Sequence, residues 1–426
     1  MKLNNSACMA AALLSMTVLA PARAEQGLSG YRAEMERAAA AFQDEDWPAL
    51  DAALEEAQKA APGSLYVYRN RILSRMLTDR PDEALALASA AAERGLALTL
   101  AGHPAFDEVK ALPGFAPIAA KMEANTAPLG APSTVVEFKE NGLLPEAIAY
   151  DRKKSLYIGS VRSGAILKAK KKDGALTPIS HASGGVFDIE LRDGEIWAAV
   201  NNQLAYEKAG EEDAFASVMA FNAKTGAPQR EIRVTQENAM LGDLEVAKDG
   251  TVYASDSITP RIFRMAPDGQ TLDIFSEDPR FANPQGIALD EKSGKLYLAD
   301  YLAELFVIDV ETGEATQLEN KANAYLGGVD GLYLYKGGLI GIQNGSTPQR
   351  IVYIGLDDDK TAVTSFITLH RNLEDWNEPT HGAVIGDEFR YIATSNWPSY
   401  DDEEWTVKDA PALQPLRIMT LPLESK

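Results

Sequence analysis

Leu144-Pro-Glu-Ala-Ile-Ala-Tyr-Asp151, Asn283-Pro-Gln-Gly-Ile-Ala-Leu-Asp290 and Val329-Asp-Gly-Leu-Tyr333 are variants of one short strand, and their recurrence decides the fold. Three more segments align on them: Val186-Phe-Asp-Ile-Glu190, Leu241-Gly-Asp-Leu-Glu245 and Thr380-His-Gly-Ala-Val384. Counted from Glu146, the equivalent positions fall at 187, 242, 285, 330 and 381, so the intervals are 41, 55, 43, 45 and 51 residues. Downstream of these lie turns rich in Asp, Lys and Gly and then second strands, such as Thr251-Val-Tyr-Ala-Ser-Asp256 and Lys295-Leu-Tyr-Leu-Ala-Asp300. Third strands follow at Arg261–Met265, Leu305–Asp309 and Arg350–Ile354. A repeat near 45 residues that holds about four strands is a propeller blade. Six copies predict a mainly β protein, a six-bladed β-propeller over residues 133–426. The last blade has a third strand at Leu416–Leu421 and then runs out of chain, whereas Ser133–Phe138 precedes the first blade without a partner. Pairing these two strands closes the ring and removes its exposed edges. A two-sheet sandwich explains neither the spacing nor the alignment.

Upstream of Ser133 the texture is different. Residues 27–125 are rich in alanine, and Ala38, Phe42, Leu50, Leu54 and Ala57 sit at helical intervals. Pro62-Gly63 breaks the pattern, Leu65–Leu77 reads as the next helix, and Pro81 suits the first turn of another. Paired helices with a period near 34 residues resemble tetratricopeptide repeats, which predicts a small all-α, TPR-like unit with a packing or docking role. Residues 126–132 read as a linker. Residues 1–24 carry a basic start, an apolar run from Ala7 and an Ala22-Arg-Ala24 site, the pattern of a cleaved secretory signal. The expected location is therefore periplasmic or secreted. The run is shorter than the roughly 20 apolar residues of a membrane span.

The sole cysteine, Cys8, lies in that segment, so the mature chain is read as having neither a disulfide nor a thiol nucleophile. The formal charge is −21, and loss of Lys2 and Arg23 with the signal takes it to −23. Such an acidic surface argues against nucleic acid or an anionic membrane as partner. No Gly-x-Ser-x-Gly elbow, phosphate-binding glycine loop or His-Glu-x-x-His is present, which leaves serine-triad hydrolases, nucleotide enzymes and helical zinc proteases without support.

In a propeller the leading residues of the innermost strands meet at one mouth of the central channel. Here that column is Glu146, Phe187, Gly242, Gln285, Asp330 and His381, with Asp188 and Asp243 one step along. Carboxylates gathered in a narrow mouth repel, so a cation or a proton must offset them. Carboxylate and amide oxygens suit a hard divalent ion, calcium or magnesium, better than a soft metal. A water-filled channel lined with hydrogen-bonded polar groups accounts for the same residues.

The three segments quoted first resemble the family that contains the regucalcin-like lactonases, gluconolactonases, paraoxonases and strictosidine synthases. The resemblance covers roughly residues 140–345 and extends weakly to the end of the chain. It implies a six-bladed propeller holding a divalent ion, with Glu146, Gln285 and Asp330 as ligands and Asp330 as acid/base. The chain departs from the family pattern at Gln285, where asparagine is usual, and at Gly242, where an Asn-Asp pair is common. Two functions follow as expectations. One is an exported, calcium-type lactonase or esterase-like hydrolase acting on a small lactone or ester, with Asp330 and His381 catalytic. The other is a non-catalytic propeller that binds a protein or ligand, with the helical unit as a docking domain.

Overall fold

The computed structural model describes residues 27–131, 133–151, 155–169, 175–401, 405–408 and 412–423. The signal segment read in residues 1–24 lies outside them. Six α-helices come first: α1 (Gly27–Gln43), α2 (Trp47–Ala60), α3 (Leu65–Leu77), α4 (Pro81–Glu93), α5 (Pro104–Ala111) and α6 (Phe115–Thr126). Their starts follow the local chemistry. Asp46 accepts the Ala49 N–H and Ser64 accepts the Val67 N–H, while Pro81 opens α4 with Asp82 and Glu83 in its first turn. His103 Nδ1 accepts the Ala105 N–H and so caps α5. The helices pack through small residues, among them Ala38, Ala57, Ala84, Ala88 and Ala91, all fully buried. Among the described residues, no helix is long and apolar enough to cross a membrane.

The rest is a six-bladed β-propeller. An outer strand, β1 (Ser133–Phe138), comes first, and blade 1 follows with β2 (Pro145–Tyr150), β3 (Leu156–Ser160), β4 (Ala165–Ala169) and β5 (Leu176–His181). Blade 2 holds β6 (Gly185–Arg192), β7 (Glu195–Asn201), β8 (Ala216–Asn222) and β9 (Pro228–Arg233). Blade 3 runs through β10 (Leu241–Val246), β11 (Val252–Asp256), β12 (Arg261–Met265) and β13 (Asp273–Ser276). Blade 4 is β14 (Pro284–Asp290), β15 (Lys295–Asp300), β16 (Glu304–Asp309) and β17 (Ala315–Gln317). In blade 5 the two-residue β18 (Glu319–Asn320) is added outside β19 (Leu332–Tyr335), β20 (Gly338–Gln343), β21 (Arg350–Leu356) and β22 (Ala362–Arg371). Blade 6 combines β23 (Gly382–Ile385), β24 (Glu388–Ile392) and β25 (Leu416–Pro422) with β1, which pairs antiparallel to β25 from Ser133↔Thr420 to Phe138↔Leu416. The ring thus closes on strands from its two ends, which leaves no open sheet edge at the seam.

Apolar side chains fill the gaps between neighbouring blades. Trp197, Val218, Leu244 and Phe263 pack together between blades 2 and 3, and Tyr297, Leu305, Leu339 and Val352 between blades 4 and 5. In blades 1 to 5 the last residue of the second strand is a buried polar group that holds the loops of the mouth face. Asp300 accepts N–H groups from Ala282, Asn283, Leu302 and Ala303 at 2.7–3.1 Å. Asp256 does the same for Met240, Ile258 and Thr259, and Asn201 exchanges two bonds with Leu241. These contacts satisfy buried backbone groups that have no strand partner.

The helices dock on that same face, over blades 4 and 5. Gly63 N–H donates to the Leu302 carbonyl at 2.7 Å, and the Tyr325 hydroxyl donates to the Gly63 carbonyl at 2.6 Å. The Tyr325 ring is buried in the core of the helical region. Arg350 is 2% exposed and lies across the joint. Its Nη1 donates to the Arg94 carbonyl at the C-terminal end of α4, and its Nε donates to Gln343. A cation there complements the negative end of the helix dipole.

Candidate functional site

The mouth-end residues stand where the strands deform. The pairing of the first and second strands slips between Pro145 and Ala147, between Val186 and Asp188, between Leu241 and Leu244, and between Pro284 and Ile287. Each irregularity spans the column residue itself, Glu146, Phe187, Gly242 or Gln285. A bulge re-aims a side chain. Asp330 and His381 lie just ahead of β19 and β23. Ligand atoms of Glu146, Asp330 and His381 all fall within 4.8 Å of one another.

Asp188 and Asp243 stand along the channel in a different role. The innermost strand of a blade has an unpaired edge, and acids from the preceding blade accept its N–H groups. Asp188 takes the Leu244 N–H at 3.1 Å and Asp243 takes the Ile287 N–H at 3.0 Å. Two residues on, Glu190 accepts from Val246 and Glu245 from Leu289. Burial and the neighbouring Asp188 push Asp243 well above the usual carboxylate range. Burial also acts on Asp188, but the neighbouring Asp243 and the His381 imidazole outweigh it and hold that carboxyl low. Glu190 is pushed up to about 7 by burial.

Glu146 and Asp330 have no such anchorage. Among the described residues no backbone N–H donates to either carboxylate. The Trp397 indole N–H donates to Glu146, and Asn344 Nδ2 donates to Asp330 at 2.7 Å. Burial, then Asp330 and Glu378, drive the Glu146 carboxyl well above its ordinary value. Burial raises Asp330 too, against the pull of His381 and Asn344. Burial would lower the His381 imidazole, but Asp188 and Asp330 outweigh it and raise it. His381 Nδ1 sits 3.5 Å from Asp188 and makes no hydrogen bond. Two crowded carboxylates beside an imidazole fit a cation in the space they share.

Gln285 lines the same cleft, its amide bonded to Asn283. The two departures from the family pattern meet here. A Cβ on residue 242 would stand 3.3 Å from Gln285 Oε1, so Gly242 leaves the room that the longer amide uses. Sequence reasoning did not single out the other residues of the cleft, which has a volume of about 420 Å³. Asn283, Tyr301 and Asn344 form one wall, and Trp397, Pro398 and Trp405 form another. The second wall comes from the connection between β24 and β25, of which Trp397, Pro398, Trp405 and Lys408 line the mouth. Trp397 and Trp405 meet edge to face with centroids 5.6 Å apart. Asn396 secures the segment, with Nδ2 donating to the Asn141 and Gln414 carbonyls. His181 and His370 are remote from this site. His370 is buried beside Tyr391 and lowered to about 4.

No protein-family model and no curated protein sequence matches the chain. Solved structures similar to it include a putative oxidoreductase (glucose dehydrogenase) of Thermus thermophilus, with 16% identity, 68% of this chain and 99% of that one covered, and a TM-score of 0.48. Virginiamycin B lyase of Staphylococcus aureus is similar at 15% identity, 68% and 98% coverage and a TM-score of 0.46. A putative gluconolactonase is similar at 16% identity, 68% and 90% coverage and a TM-score of 0.44. The fold and the mouth define the class, a six-bladed propeller with an acidic, partly roofed channel mouth.

Proposed function

We propose that the mouth binds a hard divalent cation of the calcium type and that the protein is a metal-dependent lactonase or esterase-like hydrolase of small lactones or esters. The observation that carries this reading is the contrast among the channel acids. Asp188, Asp243, Glu190 and Glu245 each serve a backbone N–H, whereas Glu146 and Asp330 converge with His381 and serve none among the described residues. Glu146 and Asp330 would hold the ion, with the amide oxygen of Gln285 as a further donor.

The ion would polarise a bound carbonyl and offset the charge that develops on its oxygen. The Trp397 N–H orients Glu146 toward the shared space. Asp330 and His381 stand where either can take a proton from an attacking water, and the charge of Asp188 stabilises the imidazolium so formed. The indoles of Trp397 and Trp405 shield the cleft from bulk water and offer a flat apolar wall to a ring. In the same reading the protein is exported, which the residue pattern of the first 24 positions supports.

Calcium titration by calorimetry on the wild type and Glu146→Gln tests the site, with heat expected from the first and lost in the second. Hydrolysis of a panel of lactones and aryl esters tests the chemistry. Turnover that EDTA and Asp330→Asn both abolish is the expected result. Calcium binding without turnover of any substrate would turn the reading toward a non-catalytic, ligand-binding propeller.

A further inference from the structure

The wall formed by Tyr301 and Asn344 ties the cation site to the docked helices. The Tyr301 hydroxyl donates to Asn344 Oδ1 at 3.1 Å, which leaves Asn344 Nδ2 to donate to Asp330 Oδ2 at 2.7 Å. An ionised Asp330 can only accept, so this amide orientation is the one consistent with its charge. Tyr301 is itself held on every side. Its N–H donates to the Asn283 carbonyl and its carbonyl accepts the Gly328 N–H, both at 2.8 Å, and its ring lies across Gly345, where a Cβ would collide with it. The next residue, Leu302, offers its carbonyl to Gly63, in the loop between α2 and α3. Gly63 also packs against the backbone of Gly327 so closely that a Cβ would stand 2.7 Å from the Gly327 Cα and 2.9 Å from the Leu302 oxygen. A continuous set of contacts therefore runs from the helical region to one oxygen of Asp330.

We infer that Tyr301 and Asn344 are positioning residues for the Asp330 carboxylate, and that the docked helical region, through Gly63, sets where Tyr301 stands. This rests on the cation site proposed above. Groups that orient a ligand are worth about 10–100-fold in metal affinity.

The test measures the calcium Kd by calorimetry and the lifetime of terbium luminescence excited through Trp397, on the full mature protein and two variants. Tyr301→Phe removes one hydroxyl, and Gly63→Ala leaves the propeller sequence unchanged but drives a Cβ against the Gly327 and Leu302 backbone at the joint. Thermal unfolding and limited proteolysis report whether each variant stays folded and docked. Tyr301→Phe is expected to weaken calcium about tenfold and to shorten the terbium lifetime, as water replaces a displaced carboxylate oxygen, with the unfolding temperature little changed. Gly63→Ala is expected to move both readings in the same direction by a smaller factor. A folded Tyr301→Phe with the wild-type Kd and lifetime overturns the positioning role. A Gly63→Ala variant that undocks yet binds calcium as the wild type does overturns the link to the helices. A wild type that binds neither ion refutes the cation site itself, and this inference with it.

Discussion

Glu146→Gln is the substitution whose outcome the geometry fixes most sharply. Ligand oxygens of Glu146 and Asp330 lie no more than 4.8 Å apart. At an effective dielectric of about 20, two unit charges at that distance repel by about 3.5 kcal/mol. Glutamine keeps the shape and an oxygen for the Trp397 N–H but removes one charge, so the metal-free variant should be more stable than the wild type by up to that amount. With an unfolding entropy of about 2.1 cal/mol/K per residue over about 290 propeller residues, the gain is about 5–6 °C in Tm. The effect has a pH signature. The Glu146 carboxyl is raised in the folded state, so its contribution is fully present below its unfolded value and is lost as pH rises through the raised one. The advantage of the variant should therefore grow from pH 5 to pH 8.5. Calcium acts in the opposite sense. At a hundredfold excess over Kd it adds about 2.7 kcal/mol to the wild type and little to the variant. Thermal unfolding in EDTA and in calcium, at both pH values, reads all of this. If the variant is less stable in EDTA, or gains as much from calcium as the wild type does, the like-charge account of the mouth fails.

Asp300→Ala leaves four buried N–H groups without an acceptor and should cost at least about 3–4 kcal/mol, read from the urea midpoint. Arg350→Met removes the link to the Arg94 carbonyl and strands Gln343 Oε1, with an expected loss of about 2–3 kcal/mol and faster cleavage within residues 27–126 under limited proteolysis. Glu304, at the start of β16, is pushed up to about 7 by burial against a weaker opposing pull from Arg94. Its contribution should be present at pH 4.5 and be lost as pH rises through 7, by about 2 kcal/mol once its partial exposure is allowed for. Glu304→Gln should flatten that part of the pH–stability curve.

The blades were legible because period-two alternation and turn chemistry are local, and their regular spacing does not depend on how the sheets pack. Alignment of Glu146, Asp330 and His381 followed from that spacing. What it could not show is the work of Asp188 and Asp243, since the N–H groups they accept belong to strands about 44–56 residues away. Tyr301 and Asn344 were missed for another reason. Each follows the last residue of a second strand, Asp300 or Gln343, at a position where side chains turn toward the mouth, and that shared offset is the signal an alignment of the second strands would have given. Trp397 and Trp405 belong to a loop with no counterpart in the other blades, so no repeat could announce them. The joint between helices and propeller depends on Gly63, Tyr325 and Arg350, whose separation in the chain hides their contact.

The seam of blade 6 also imposes an order on synthesis. β1 is made early, yet its partner β25 emerges some 280 residues later, which at about 5–20 residues per second is roughly 15–60 s. For that time β1 is an unpaired edge on the nascent chain. Its side chains suit the delay, since Ser133, Thr134 and Glu137 alternate with or flank its two valines and most of the strand stays exposed even in the finished ring. Synthesis of β25 thus locks the ring, and a chain cut short before Leu416 would display both β1 and the flank of β24 to any other strand nearby.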